Sequence, residues 1–429
     1  ALVSGVILAN SAAAGACPGW PLCEGGLIPA TPAGWLPVVH RLVVGLIAIF
    51  ILWFNRLAWR TQRTQRAILT SSTLFMLLFF AQSFVGALKA TRDFPLHMLA
   101  LHEATAAALI AVGALMVLFT GAANLTNDQE QAASALPVDS RQRTKDFLAL
   151  TKPIVVILLL FTTFGGMVIA GGAMPSASLL FWTLLGGGLA AGGSSAINQY
   201  IDRDLDGKMN RTAKRPIPAG RLTSAEGLAF GSGALVIAFY LLAGFVNMFA
   251  ALLSLAGMVY YVVLYSLFLK NRNEQNIVIG GGAGAIPPLV GWAAVTGSLD
   301  ITAGFLFLII FLWTPPHFWA LALLRKDDYA RGGVPMMPVI RGEHATQVQM
   351  FAYTLVLVAA SLLLWVLGEA GMVYLIGAVI LGAYLIMLAW QVLKSGRNKT
   401  YYRMYRHSNY YLLLLFVVLA ADALVKYPL

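Results

Sequence analysis

Charge is what this chain has least of. Only 11% of its residues are Asp, Glu, Lys or Arg, against about 25% in ordinary soluble domains, which excludes a soluble globular fold. Cysteine is nearly absent too. The two present, Cys17 and Cys23, stand in Cys-Pro-Gly-Trp-Pro-Leu-Cys and make no zinc-type Cys-x-x-Cys pair. Acids number 18 against 29 bases, for a net charge of +11. That excess does not point to nucleic acid, because the bases sit in short loops between apolar runs, the positive-inside pattern of membrane proteins. No basic region precedes the first apolar run, residues 1–9, which is too short to span a bilayer. The expectation is a chain that starts inside a helix rather than with a signal peptide.

What the chain has in abundance is apolar sequence, 59% of its residues, with a mean hydropathy of +0.77. Runs of about 20 apolar residues, enough to cross a bilayer, fall near 37–55, 67–88, 98–121, 150–171, 177–197, 224–243, 247–268, 276–296, 301–323, 348–367, 371–393 and 408–426, after a partial run at 1–12. The fold class expected is an all-α polytopic membrane protein. Bases cluster around Arg56, Arg60, Arg63 and Arg66, and in 141–152, 203–221, 270–272, 325–341 and 394–406. Alternate loops are therefore cytoplasmic, with the loop of Cys17 and Cys23 outside. The polar stretch 121–145 looks like a linker. The domains expected are a four-span unit (1–122, first helix truncated), a cytoplasmic linker (123–145) and a nine-span unit (146–429).

One polar string stands at the end of an apolar run: Asn198-Gln-Tyr-Ile-Asp202-Arg-Asp204-Leu-Asp206. An Asp at mid-membrane costs roughly 3 kcal/mol, so acids at a membrane helix end point to function. Asn198, Asp202 and Asp206 are spaced i, i+4, i+8 and share one helix face, drifting by about 40° per step. Asp204 points elsewhere. Hard oxygen ligands in a row suit Mg²⁺, which is commonly held by a couple of carboxylates plus substrate phosphates. The Lys208, Arg211, Lys214 and Arg215 that follow suit the oxygens of a diphosphate.

Two further inside loops carry matching chemistry. Tyr265, Lys270 and Arg272 precede a Gly-rich run, 280–284, and Pro287-Pro288, which should kink its helix. No Lys-Ser/Thr follows that run, so close helix packing or room for a large substrate is the better reading than a phosphate loop. The third loop follows Pro-Pro-His317-Phe-Trp and holds Asp327 and Asp328, a candidate pair for a second Mg²⁺.

The strings Asn-Gln-Tyr-Ile-Asp-Arg-Asp-Leu-Asp, Asn-Ile-Val-Ile-Gly-Gly-x-Ala-Gly-Ala-x-Pro-Pro-Leu-x-Gly-Trp and Pro-His-Phe-Trp-Ala-Leu-Ala-Leu resemble the heme O synthase (protoheme IX farnesyltransferase) family of intramembrane prenyltransferases, over roughly 146–429. The resemblance implies a nine-helix bundle whose cavity opens to the inner leaflet. It also implies Mg²⁺ on Asp202, Asp206 and a third-loop Asp, with Lys270, Arg272 and Arg215 assisting the diphosphate of farnesyl diphosphate. A heme b vinyl group would accept the farnesyl group, giving heme O for heme A and cytochrome oxidase assembly. Asn198 and Tyr265 would bind substrate, and His317 would orient the heme. Many relatives in the superfamily carry a second Asp-x-x-x-Asp; here position 332, four after Asp328, is Gly. Which of Asp327 and Asp328 binds metal stays open.

Residues 1–122 resemble one half of heme A synthase, through Ala-Cys17-Pro-Gly-Trp-Pro-Leu-Cys23-x-Gly, His40-Arg41, Gln82-x-x-x-Gly86-Ala and Leu-His102. That implies His40 and His102 as ligands of a bound heme iron, and heme A synthase as a partner. Pro37 stands where that family usually has Glu, so hydroxylation of heme O is not expected of this unit. Cys17 and Cys23 face the oxidising side, where a disulfide is expected; free thiols are the alternative. The location implied is the inner (plasma) membrane. Rival readings are a prenyltransferase for a quinone-precursor or chlorin acceptor, a membrane heme-binding or electron-transfer module, and, ranked last, a transporter.

Overall fold

The structure is a computed structural model. It describes residues 2–9, 16–17, 19–21, 23, 26, 28–29, 31–91, 96–123 and 139–426. The described residues are overwhelmingly helical, and 12 helices are long and apolar enough to cross a membrane. Apolar segments of this length can satisfy their backbone groups in lipid only as helices or closed barrels, so an all-helical polytopic fold follows from composition.

The helices are α1 (Leu2–Ala9), α2 (Trp35–Thr61), α3 (Arg66–Thr91), α4 (Leu96–Ala123), α5 (Ser140–Leu150), α6 (Pro153–Gly171), α7 (Ala177–Ile201), α8 (Arg203–Lys208), α9 (Ser224–Phe245), α10 (Met248–Val259), α11 (Asn276–Gly280), α12 (Gly282–Thr296), α13 (Ile301–Leu324), α14 (Lys326–Gly332), α15 (Met337–Ile340), α16 (Gly342–Val366), α17 (Met372–Ser395) and α18 (Asn398–Lys426). A π-helix, Tyr260–Leu269, continues α10. Several helices outrun their apolar cores. Hydropathy places the last span at 408–426, yet α18 begins at Asn398. Its first turns are polar because they lie where the helix leaves hydrocarbon. Helix α5 begins inside the stretch that looks like a linker.

The chain divides into two compact units. One comprises Ala1–Ala135 and Thr223–Tyr240; the other comprises Leu136–Leu222 and Leu241–Leu429. In the first, Thr223 and Glu226 form a reciprocal capping box at the start of α9: Glu226 N–H donates to Thr223 Oγ1 (3.1 Å) and Thr223 N–H to Glu226 Oε2 (2.9 Å). The fully buried Glu226 is also paired with Arg63 at 2.7 Å. Farther along α9, the Tyr240 hydroxyl is 2.6 Å from Thr105 Oγ1.

In the second unit, α6 and α12 cross at backbone contact. A Cβ on Gly166 would lie 2.3 Å from the Pro288 carbonyl oxygen, and one on Gly291 would lie 2.0 Å from that of Thr163. Only glycine permits that approach. Between membrane helices, which gain nothing from expelling water, such close packing supplies the attraction. The Gly-rich run packs closely as well: a Cβ on Gly281 would lie 2.7 Å from Thr314 Cγ2. Gly280 and Gly282 also leave room for the rings of Tyr265 and Tyr260.

Candidate active site

The acidic row survives a break in its helix. Helix α7 stops at Ile201 and Asp202 takes φ −82, ψ 0 before α8 resumes. The hydrogen-bond ladder nevertheless runs through: Asp202 N–H donates to Asn198 O (2.9 Å) and Asp206 N–H to Asp202 O (2.7 Å). All three side chains of the row are buried, whereas the side chain of Asp204 is 84% exposed and stands beside Arg203.

Two buried carboxylates at the rim of a membrane bundle require compensation, and each has it. Lys270 Nζ is paired with Asp202 Oδ2. Arg215 Nη1 lies 2.6 Å from Asp206 Oδ2. Asn198 is the hub. Its Nδ2 donates to Asp202 Oδ2 (2.9 Å) and to Ser266 Oγ (3.0 Å), while its Oδ1 accepts from Lys152 Nζ (3.1 Å). Ser266 in turn donates to Tyr261 O inside the π-helix (2.9 Å). There the wider turn stacks Tyr261 on Tyr265 with centroids 5.7 Å apart, and π-helical turns recur at functional sites. Asn276 Nδ2 donates to Lys270 O (3.0 Å), fixing the backbone behind the ammonium.

Lys152 is a site residue that sequence reasoning passed over, as one more base in the stretch 141–152. It stands just before Pro153, the first residue of α6, with the left-handed φ of 51. That conformation is uncommon for a residue with a Cβ. It aims the ammonium inward instead of along the membrane surface. Burial, then the neighbouring Arg215 and Lys270, pull the ammonium down to about 7, against the opposing pull of Asp202 and Asp206. Three cations thus face two carboxylates, an excess that suits a polyanion. The Thr-Lys-Pro string was the available signal, but a lysine ahead of an apolar run looks like ordinary snorkelling.

The loop carrying Arg215 is tied down at both ends. Arg221 Nε donates to the buried Asp146 Oδ1 of α5 (2.9 Å), and Asn210 N–H donates to Asp328 Oδ1 (3.0 Å). Asp328 is buried and also pairs with Arg331 at 2.9 Å. Burial would raise its carboxyl, but hydrogen bonds from Arg331 and from the Asn210 and Arg211 backbone outweigh that and hold it below the usual range. Asp327 is exposed. Among the described residues no three His, Cys, Asp or Glu side chains converge on one point, so neither third-loop acid joins Asp202 and Asp206. Arg272 is exposed too, its guanidinium 5.8 Å from the Phe268 ring centroid rather than in the cluster. Asp202 and Asp206, two buried carboxylates one helical turn apart, are hard oxygen donors of the kind that fit a cation taking its remaining ligands from phosphate and water.

His317 belongs to a separate aromatic shelf. Its buried ring stacks on Trp313 (4.3 Å) and Tyr405 (4.8 Å), and its Nδ1 lies 2.9 Å from Ser408 Oγ. The Tyr329 phenol is held above its usual range. Burial pushes it up, Arg211 and Arg215 pull it down, and Asp328 and Tyr405 push it up.

In the N-terminal unit, His40 Nδ1 lies 2.9 Å from Ser4 Oγ, and His102 Nε2 lies 3.0 Å from Gln82 Nε2. Gly5 and Gly86 stand against these rings, where a Cβ would come within 3.4 Å of either Cε1. Cys17 and Cys23 form the expected disulfide. Arg41 donates from Nη1 to Cys17 Sγ (3.1 Å) and from Nη2 to Cys17 O (3.1 Å).

Residues 159–416 match the UbiA prenyltransferase family. A protein from Roseiflexus castenholzii named protoheme IX farnesyltransferase is 41% identical over 444 aligned residues, covering 99% of this chain and 82% of that protein. One of the same name from Symbiobacterium thermophilum is 46% identical over 287 residues, covering 66% of this chain and 96% of its own length. Among solved structures, a digeranylgeranylglyceryl phosphate synthase superimposes with a TM-score of 0.57 at 18% identity, covering 66% of this chain and 99% of that one. The chain belongs to the UbiA prenyltransferase family.

Proposed function

We propose that this chain transfers the farnesyl group of farnesyl diphosphate to a vinyl group of heme b, giving heme O and diphosphate. The carrying observation is the pair of buried carboxylates, Asp202 and Asp206, each matched to a cation, with Lys152 as an additional charge. The acceptor assignment is supported by relatives named protoheme IX farnesyltransferase. The location is the inner (plasma) membrane, with the Asp202 loop cytoplasmic.

Asp202 and Asp206 would hold Mg²⁺, which when bound supplies Lewis-acid neutralisation of diphosphate charge. The protein's own work is electrostatic. Lys270, Arg215 and Lys152 donate to the diphosphate oxygens as the C1–O bond breaks and the leaving group takes the electron pair. The Tyr261–Tyr265 stack offers ring faces to the allylic cation. The vinyl group then attacks C1, and water adds to the resulting cation with loss of a proton, leaving a hydroxyethylfarnesyl chain. His317, held by Trp313, Tyr405 and Ser408, orients the acceptor. Purified protein given heme b, farnesyl diphosphate and Mg²⁺ should yield a more hydrophobic heme on reversed-phase chromatography. No such product from folded protein would sink the assignment.

A second reading concerns residues 1–122, read as a heme A synthase-like half. Ser4 on His40 Nδ1 leaves Nε2 for iron, the usual way a second partner sets a ligand's tautomer. Gly5 and Gly86 keep the ring edges clear. His102 would need Gln82 to swing off its Nε2. The protein as purified should show low-spin bis-imidazole heme bands that vanish in His40→Ala; unchanged bands would remove His40 as a ligand.

A further inference from the structure

The junction of α17 and α18 carries a strongly cationic surface outside the Asp202 cluster. Lys394, Arg397, Lys399, Arg403 and Arg406 fall within 391–410, where the sequence has no Asp or Glu. All five are exposed, and among the described residues none is in an ion pair. Two lie over exposed aromatic rings: Lys394 Nζ is 4.9 Å from the Trp390 centroid, and the Arg406 guanidinium is 5.7 Å from that of Tyr410. Cations free of acid partners, flanked by Trp and Tyr at the ends of two membrane helices, are complementary to anionic headgroups.

The other face of the same helical turns is buried and structural. Tyr401, Met404, Ser408 and Tyr411 are packed inside. Ser408 Oγ meets His317 Nδ1 at 2.9 Å, Ser408 O accepts from Trp313 Nε1 at 2.7 Å, and Tyr405 stacks on His317. Arg403 and Arg406 alternate in sequence with these supports. Whatever restrains the two arginines restrains the shelf that holds His317.

We infer that the α17–α18 junction is a binding site for anionic phospholipid headgroups, and that lipid held there steadies the Tyr405–Ser408 support of His317. The positive-inside pattern alone orients a chain during insertion and needs no retained lipid. Lipid retention therefore separates the two accounts.

The test uses the full chain in detergent, offered equal phosphatidylglycerol and phosphatidylcholine, with retained lipid weighed by native mass spectrometry. Phosphatidylglycerol should be retained preferentially. The double variant Arg403→Gln, Arg406→Gln should lose that retention by on the order of tenfold, and Arg403→Lys, Arg406→Lys should keep most of it. Equal retention of the two lipids by the native chain, or no loss in the Gln pair, overturns the site. The link to His317 rests on the proposed transfer reaction and is read separately in nanodiscs. Native protein should turn over faster with phosphatidylglycerol present, and the Gln pair should lose this response while keeping its rate in phosphatidylcholine alone. A lipid response that persists in the Gln pair overturns the link. Retention needs no substrate, so a failed transfer assay cannot be mistaken for a failed lipid site.

Discussion

The two candidate sites handle polar groups in a membrane protein in different ways. Around Asp202 the second unit buries full charges and pairs them, acid to base. Around His40 and His102 the first unit uses groups that carry no obligatory charge, held by Ser4 and Gln82. A paired charge cluster is stable only while its partners stay matched, so it can trade a protein partner for a charged ligand at modest cost. A cluster of imidazole, hydroxyl and amide offers neutral donors, which would suit a metal whose charge a macrocycle already balances. The difference teaches what kind of ligand each site can take before any ligand is seen.

The sharpest way to break this comparison is Asp202→Ala. Transfer should fall by about 10³-fold or more, and Lys270, largely shielded, is left without its partner, at a cost of roughly 3 kcal/mol. Turnover assays with a thermal melt check both, and near-normal turnover would remove Asp202 from the site. Next in size is Lys152→Met, expected to lower kcat/KM for the prenyl diphosphate by about 10²-fold. The same lysine sets a pH dependence. Its ammonium titrates at about 7 in the folded protein, below the usual lysine range. As pH rises through that value the free enzyme loses a cation and KM for the diphosphate should climb, whereas Lys152→Arg should flatten the profile. The linkage has the matching sign: above that pH the unfolded chain keeps a proton the folded one has shed, so the cost of burying Lys152 fades as pH rises.

Asp328→Asn should be milder. It removes charge from the group that anchors the Asn210 N–H, costing about 1 kcal/mol in a melt and a several-fold loss of turnover through the Arg215 loop. Asp327→Ala, at an exposed position, should stay within about twofold; a large loss there would put the third-loop metal ligand at Asp327. Smallest of all, His40→Ala and His102→Ala should change transfer by less than about twofold while altering the heme spectrum. A large loss of transfer in either would show that the units are not chemically separate.

The two sites also differ in how much of them was legible beforehand. The Asn198, Asp202 and Asp206 row is a local pattern on one helix, so spacing alone placed it on one face, and the structure keeps that face through the break at Asp202. Lys270 is legible as a base of an inside loop shared with Tyr265 and Arg272. Lys152 and Asp146 were missed because their partners, Asn198 and Arg221, are distant in the chain. Arg272 looked equivalent to Lys270, yet a difference of two positions at the end of the π-helix turns one into the cluster and the other outward over Phe268.

Composition alone determined that the chain is helical and spans a membrane, because hydrocarbon leaves a backbone no other internal way to bond apart from a closed barrel. Local spacing determined the acidic row. Which cation answers which carboxylate was decided only by the tertiary structure. So was the burial of Asp328 beside an exposed Asp327, and the pairing of His317 with a serine 91 residues away. Hydrogen bonds and ion pairs act over a few ångströms, and only the folded chain brings residues that far apart in sequence within that range.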